Sequence, residues 1–380
     1  MPSSFISPSF VDSLRLSLSI VLVVPLLAGP VGPGRAAASP PSPVVVERRV
    51  ALMGTTCTLG GVATSREEGL RGLEAAIAAL ETAEQRLSTW RPASALSLLN
   101  QSSPQHPTAV APGLAALLAR VAVLSRETAG AFDPAVGSLI AAWDLRGAGR
   151  VPRPDEIDAA LGSSGMDLFS IDVAAATVTR HASGVWIDAG GFGKGVGLAA
   201  ATQALTAAGL TDGHIDLGGQ VALSIDGRRR VAVAHPRHRQ QSAAWLALVG
   251  ESAATSSDSE NRFVVDGQTI GHILDPRSGR PAADFGSVTV VSRDPLVADA
   301  LSTALFVLGP EAGMQLAAQR ADIEALFLIA GRNGVHAVWT SGLDGRIELV
   351  AGVLAATPVS TPVPSDGPSG VVREVVEDGP

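Results

Sequence analysis

Helical and strand-like patterns of apolar and polar residues follow one another along this chain without a strict order. In residues 67–86, Ala, Leu and Glu recur at helical spacing, and 112–128 repeats the pattern. Residues 195–208 are Ala-rich and end at Gly209, a helix-stop signal. These three stretches predict helices. Strands are predicted at 50–59, 184–189, 221–225, 230–234, 245–249, 287–291, 325–330 and 335–340, where short apolar runs are bounded by turn residues. Hairpin-like pairs dominate the second half of the chain. The pattern therefore predicts a mixed α+β fold rather than a repeating βαβ sheet, and no internal repeat is visible.

The two ends do not join this pattern. Arg15 precedes an apolar run over 16–27, and Ala36, Ala37 and Ala38 follow, the order of a secretory signal peptide with an A-x-A cleavage site. The run is short for a membrane span, which needs roughly 20 residues; an uncleaved N-terminal anchor is the alternative. Residues 39–48 are rich in Pro, Ser and Val, as a linker would be. From 355 to 380 the chain is rich in Pro, Ser, Gly and acidic residues and has no aromatics, the composition of a disordered tail. The folded body expected between them, 49–354, is read as a single large domain of an exported protein, in the periplasm or on the extracytoplasmic face of the membrane.

Composition narrows the function classes. The chain has 380 residues, 46% hydrophobic and 17% charged, enough apolar side chain for one large domain or two ordinary ones. A formal net charge of −8 argues against a nucleic-acid partner. The basic clusters at 228–230 and 235–239 are short and read as solvated loops or strand ends. Cys57 is the only cysteine, which excludes an internal disulfide and a thiolate metal cluster; it reads as a small core residue in a strand.

Four segments carry candidate chemistry. In Trp186-Ile-Asp-Ala-Gly-Gly-Phe-Gly-Lys-Gly195 a strand ends at Asp188, a glycine-rich turn follows, and a helix begins near Gly195. Glycines let backbone amides approach a ligand, helix-start amides bind anions, and Lys194 adds a positive charge, so a phosphate or pyrophosphate suits the segment. A Walker loop would need Gly at Asp188 and Ser or Thr at Gly195, and the dinucleotide G-x-G-x-x-G is missing because Gly191, Gly193 and Gly195 alternate. A tight structural turn is the competing reading. Asp299 and Thr303 are four residues apart and share one face of a helix. A carboxylate and a hydroxyl so placed can hold a hard cation such as Mg²⁺, or can be a helix-start Asp with an ordinary Thr one turn later. In Gly271-His-Ile-Leu-Asp-Pro-Arg-Ser-Gly279, His272 and Asp275 flank a bend; they either meet at a ligand or are structural. Gly130-Ala-Phe-Asp133-Pro134 is a turn after a helix, with a helix stop and an Asp cap as the plain alternative.

These segments, in this order, resemble the ApbE family of FAD:protein FMN transferases. The resemblance extends to Met53-Gly-Thr55, Ser88-Thr-Trp90, Ser94 to Asn100, Trp143, Asp216-Leu-Gly-Gly219 and Thr255-Ser256, and covers about 50–309. It implies an ApbE-like α+β fold, related to the T-fold, with mixed sheets and packed helices. It further implies that Asp299, Thr303 and the Gly191 carbonyl bind Mg²⁺. Met53, Phe132, Asp133, Asp188, Gly193, Lys194 and Leu274 would line the FAD site, and His272, Asp275 and Lys194 would act in catalysis. The implied reaction is Mg²⁺-dependent transfer of FMN from FAD to a Ser or Thr hydroxyl of an extracytoplasmic electron-transfer protein, with release of AMP. An FAD pyrophosphatase, a non-catalytic flavin carrier and a binding protein for another phosphorylated ligand are the alternatives. One stretch departs from the family: where T-S-G is commonly followed by Tyr and then Arg, this chain has Thr255-Ser-Ser-Asp-Ser-Glu-Asn-Arg262, and it contains no tyrosine at all.

Overall fold

The computed structural model describes residues 42–259, 262–265 and 267–355, all within one unit that begins at Ser42. The expected signal segment and nearly all of the expected tail lie outside the described residues. The linker expected at 39–48 is corrected, because a strand, Val44–Leu52, starts inside it. Val44, Val45 and Val46 pair with Ala63, Val62 and Gly61, and Val46 is buried. Three consecutive β-branched residues suit a pleated surface, so the Pro-rich character stops at Pro43. The pairing strand, Thr55–Ala63, is reached through a two-residue turn in which Met53 (φ 49°) and Gly54 (φ 73°) both take the left-handed conformation such hairpins need. Cys57 lies in it fully buried, and burial pushes its thiol up to about 11.

Nine strands make the main sheet: Val44–Leu52, Thr55–Ala63, Thr211–Leu217, Gln220–Leu223, Ser252–Ser256, Gly286–Ser292, Glu324–Gly331, Gly334–Trp339 and Val353–Ala355. Their order across the sheet is their order along the chain, and every neighbouring pair is antiparallel except the last. The remaining elements are inserted between consecutive strands. Helices α1 (Arg66–Leu87), α2 (Ala95–Asn100), α3 (Pro112–Glu127), α4 (Gly137–Ala142), α5 (Pro154–Leu161) and α6 (Gly193–Ala207) all fall between the second and third strands. Helix α7 (Pro295–Ala318) falls between the sixth and seventh. The α+β fold also contains a smaller sheet of Arg228–His235, His238–Val249 and Ile347–Leu349, another of Thr108–Ala109, Thr177–Arg180 and Phe169–Asp172, and two-stranded pairs of Arg262–Val265 with Gln268–Gly271 and Leu274–Asp275 with Arg280–Pro281.

The central strands bury both faces, and their alternation shows against what. Ala254, Val288, Val290, Ala325 and Phe327 join one apolar cluster with α7 residues such as Leu301, Leu305 and Phe306. Their neighbours Ala253, Val291, Leu326 and Leu328 face the other way, into a cluster with Val233, Ala244, Leu246 and Leu248 of the smaller sheet. Period-two alternation with apolar residues on both sides is what a sheet between two layers requires. All seven residues of Gly286–Ser292 are accordingly buried. Helix α7 owes its apolar composition to the same position. It is long and apolar enough to cross a membrane, yet 61% of its most apolar window is buried within the protein.

Local signals account for the helices. Ser65 caps α1, its hydroxyl accepting the Glu68 amide at 3.2 Å, and Leu73, Ala76, Leu80, Ala83 and Leu87 line its buried face. Asp294 caps α7 through the Leu296 amide at 3.0 Å, with Pro295 at the first helical position. The strand expected at 184–189 is absent: that segment joins no sheet. Its backbone is held by a side chain, because the Asn100 amide both accepts from the Ile187 N–H (2.9 Å) and donates to the Ile187 carbonyl (2.8 Å). The Asp188 amide donates to the Pro134 carbonyl (2.8 Å) and the Trp186 carbonyl accepts from the Gly137 amide (3.2 Å), so scattered partners satisfy the groups that a neighbouring strand would have paired. In the basic cluster at 228–230, Arg229 pairs with Asp212 and Arg230 with Glu348, on an edge strand of the smaller sheet.

Candidate active site

The start of α6 is pressed against the start of α7. A Cβ on Gly195 would stand 2.3 Å from the Pro295 carbonyl oxygen, so only glycine permits this approach. The contact sets the glycine-rich turn beside the first turns of α7, and the Gly195 amide donates to Asp299 Oδ2 at 2.8 Å. Asp299 is almost fully buried; burial raises its carboxyl above the usual range, while the Lys194 charge and the Lys194 and Gly195 amides pull it back down. Thr303 follows one turn later, and a Cβ on Gly191 would lie 3.5 Å from its hydroxyl. Gly191, Asp299 and Thr303, expected as one set, are therefore adjacent.

That set is all oxygen: one carboxylate, one hydroxyl and one backbone carbonyl. Such donors suit a hard divalent cation of the Mg²⁺ type, which typically keeps water and takes substrate phosphate oxygens for the rest of its shell. The burial of Asp299 fits the same reading, since a dication would favour the charged form of a carboxyl withdrawn from water. The residues present fit the group.

A cavity of about 760 Å³ opens in front of this set, a size within the usual range for ligand sites. Among the residues expected at the site, Phe132, Asp133, Asp188, Gly191, Lys194, His272, Leu274, Asp299 and Thr303 all line it. Thr255 and Ser256 line it too, and the Ser256 hydroxyl lies 2.9 Å from that of Ser302, which donates to the Asp299 carbonyl. Three expected residues do not reach the wall. Met53 instead lies under α6, its sulfur 3.2 Å from where a Cβ on Gly197 would be. Gly193 is buried in the first turn of α6, its amide donating to the Ala189 carbonyl at 2.7 Å. Asp275 sits in an ion pair with Arg277, Nε to Oδ1 2.8 Å. Asp133 does line the cavity, but its carboxylate serves the fold: it accepts from Ala135 N (2.8 Å), Ser125 Oγ (2.9 Å) and Met166 N (2.9 Å). Burial raises its carboxyl, and those bonds oppose the rise. The Asp216–Gly219 motif is structural as well, closing a hairpin with the Gly219 amide on Asp216 Oδ1 at 2.9 Å.

Three groups at or beside the cavity were not expected as site residues. Arg146, in the loop after α4, pairs with Asp188 and donates to the Thr89 carbonyl at 3.2 Å. Its guanidinium lies 4.8 Å from the Trp90 ring and 4.6 Å from that of Trp186. Trp90 stands in a recognised motif, but nothing in its spacing showed it at the cavity wall. Asp258, in the stretch that departs from the family pattern, is 3% exposed and stands 3.6 Å from His272. Only folding brings Arg146 to a partner 42 positions away, so no local signal could have found it.

The fold and cavity thus define a class: an α+β protein whose cavity sets oxygen donors beside a glycine-rich helix start and a cationic side chain. The chain belongs to the ApbE family, whose model matches residues 53–327. It is 33% identical over 283 residues to an FAD:protein FMN transferase of Rhodobacter capsulatus, covering 73% of this chain and 53% of the relative, so it spans about half the length of that protein. It is 31% identical over 264 residues to the FAD:protein FMN transferase of Vibrio cholerae, covering 67% of this chain and 78% of the relative. Among solved structures, the apo flavinyl transferase ApbE of Pseudomonas stutzeri superposes with a TM-score of 0.70 at 29% identity, covering 80% of this chain and 97% of that one.

Proposed function

We propose that this chain is an exported, Mg²⁺-dependent FAD:protein FMN transferase. The observation that carries the reading is the convergence of Asp299, Thr303, the Gly191 turn, Lys194 and His272 on one cavity. Phosphoryl transfer depends chiefly on positioning and charge stabilisation, and these groups supply both. The Lys194 ammonium holds the FAD phosphates by its charge. A cation held by Asp299, Thr303 and the Gly191 carbonyl supplies neutralisation of pyrophosphate charge when bound. His272 lines the cavity and takes the proton of the attacking hydroxyl, the general-base role that imidazole most often fills. Residues 1–38 carry the export signal, and the acceptor is a Ser or Thr of an extracytoplasmic electron-transfer protein. Membrane contact is limited to export.

The test is AMP release from FAD by the purified protein, with Mg²⁺ and with a chelator, in wild type and Asp299→Asn. We expect chelation to stop the wild-type reaction, and Asp299→Asn to lose at least ~100-fold in kcat while still folding. Full Asp299→Asn activity would remove the cation position. AMP and free FMN, with no flavin on any acceptor, would make the protein an FAD pyrophosphatase. FAD bound and never split would make it a carrier.

A further inference from the structure

His272 lines the cavity, but the residue behind it does not. Asp258 is 3% exposed, and among the described residues its Oδ1 is one of four buried side-chain atoms without a hydrogen-bond partner. That oxygen is the one facing the imidazole, 3.6 Å from Nδ1. The separation is that of an ion pair rather than a formed hydrogen bond, and catalytic contacts of this kind are often long in ligand-free protein. The backbone holds the pair together. A Cβ on Gly271 would stand 2.2 Å from Asp258 Oδ2, so the carboxylate can enter only because residue 271 is glycine. The amides of Ile273 and His272 donate to it from the same turn. Of the other charges nearby, Arg262 donates its Nε to the Asp258 carbonyl at 3.0 Å and favours the ionised carboxyl, while Asp284 opposes it.

We propose that Asp258 is a positioning residue that holds the His272 ring through Nδ1, so that Nε2 faces the cavity as the proton acceptor of the transfer. The inference rests on the transferase reading above. In the step, the acceptor hydroxyl oxygen bonds to the flavin-side phosphorus of FAD. The bond from that phosphorus to the bridging oxygen breaks, AMP leaves with that oxygen, and the hydroxyl proton passes to Nε2 and then to solvent. A carboxylate on Nδ1 fixes the tautomer that leaves Nε2 unprotonated and steadies the imidazolium as it forms. Ser257, the neighbour that replaces the family's usual glycine, has its hydroxyl tied to the Gly286 carbonyl at 2.9 Å, which anchors the segment bearing Asp258.

The experiment combines kinetics with spectroscopy. Wild type, Asp258→Asn, His272→Ala and the double variant are assayed with FAD and an acceptor domain. The His272 tautomer is read in the wild-type protein from ¹⁵N–¹H correlation of the ring. We expect Asp258→Asn to lower kcat about 100-fold with KM for FAD unchanged, the double variant to be no worse than His272→Ala alone, and the wild-type ring to carry its proton on Nδ1. Full kcat in Asp258→Asn beside an inactive His272→Ala overturns the inference, as does an extra loss in the double variant. A proton on Nε2 in the wild type overturns it too, and that measurement decides the matter if Asp258→Asn does not fold. Wild type that binds FAD and never releases AMP defeats the transferase reading itself, a result no Asp258 variant can produce.

Discussion

Asp258 and Asp299 are carboxyl groups withdrawn from water beside groups that use their charge, and such placement has a thermodynamic signature. Burial, the largest influence, pushes Asp258 up to about 6. The folded state therefore holds its proton more tightly than the unfolded chain, whose Asp titrates near ~3.9. Stability from this group is fully present below pH ~4 and is lost as pH rises through 6, a change of roughly 3 kcal/mol. Urea titrations of wild type against Asp258→Asn should diverge over that window, with wild type the weaker at neutral pH; parallel curves would show that the carboxyl is not held as described. Arg146 tests a second residue. Arg146→Ala removes the cation between Trp90 and Trp186 and leaves Asp188 without its ion pair. The expected loss is about 1–3 kcal/mol in the unfolding free energy, and an unchanged midpoint would mean that the stack contributes nothing. At this scale the sequence singled out Asp299, Thr303, Lys194 and His272, which line the cavity, because each sits in a spaced motif. Arg146 and Asp258 were hidden, because their chemistry comes from partners that only the fold supplies.

Among the elements, the crossing of α6 and α7 does the most to build the site. Gly195 lets the two helix starts touch, and the amide exposed there holds Asp299. Gly195→Ala should drive the helices apart, lowering stability by about 1–3 kcal/mol and weakening Mg²⁺-dependent AMP release in the same variant; thermal unfolding and the activity assay read the two effects. Normal stability with normal activity would contradict the crossing. The long helices were legible because their apolar spacing and caps are local. Segment 184–189 was read as a strand because its composition suits one, yet its backbone bonds to Asn100 and to the 134–137 turn rather than to a strand. The linker boundary failed for the opposite reason: Pro and Ser suggested disorder, while three valines already paired with Thr55–Ala63.

The whole molecule is a sheet whose strand order follows the chain, with long insertions carrying the site. The insertion between the second and third strands brings Phe132, Asp188 and Lys194, whereas α7 brings Asp299 and Thr303. Pattern reading reached the α+β class but not the sheet order, since pairing between distant strands leaves no periodic trace in the sequence. Export is the property proposed for the chain as a whole. N-terminal sequencing of the secreted form should begin at Ser39, and an intact Met1 would leave an anchored protein instead. The most direct measurement is the intact mass of an acceptor electron-transfer domain after incubation with the protein, FAD and Mg²⁺. A gain equal to FMN less one water, matched mole for mole by AMP and lost on chelation, is the expected result. An acceptor of unchanged mass, with FAD consumed to free FMN and AMP, would contradict the transferase.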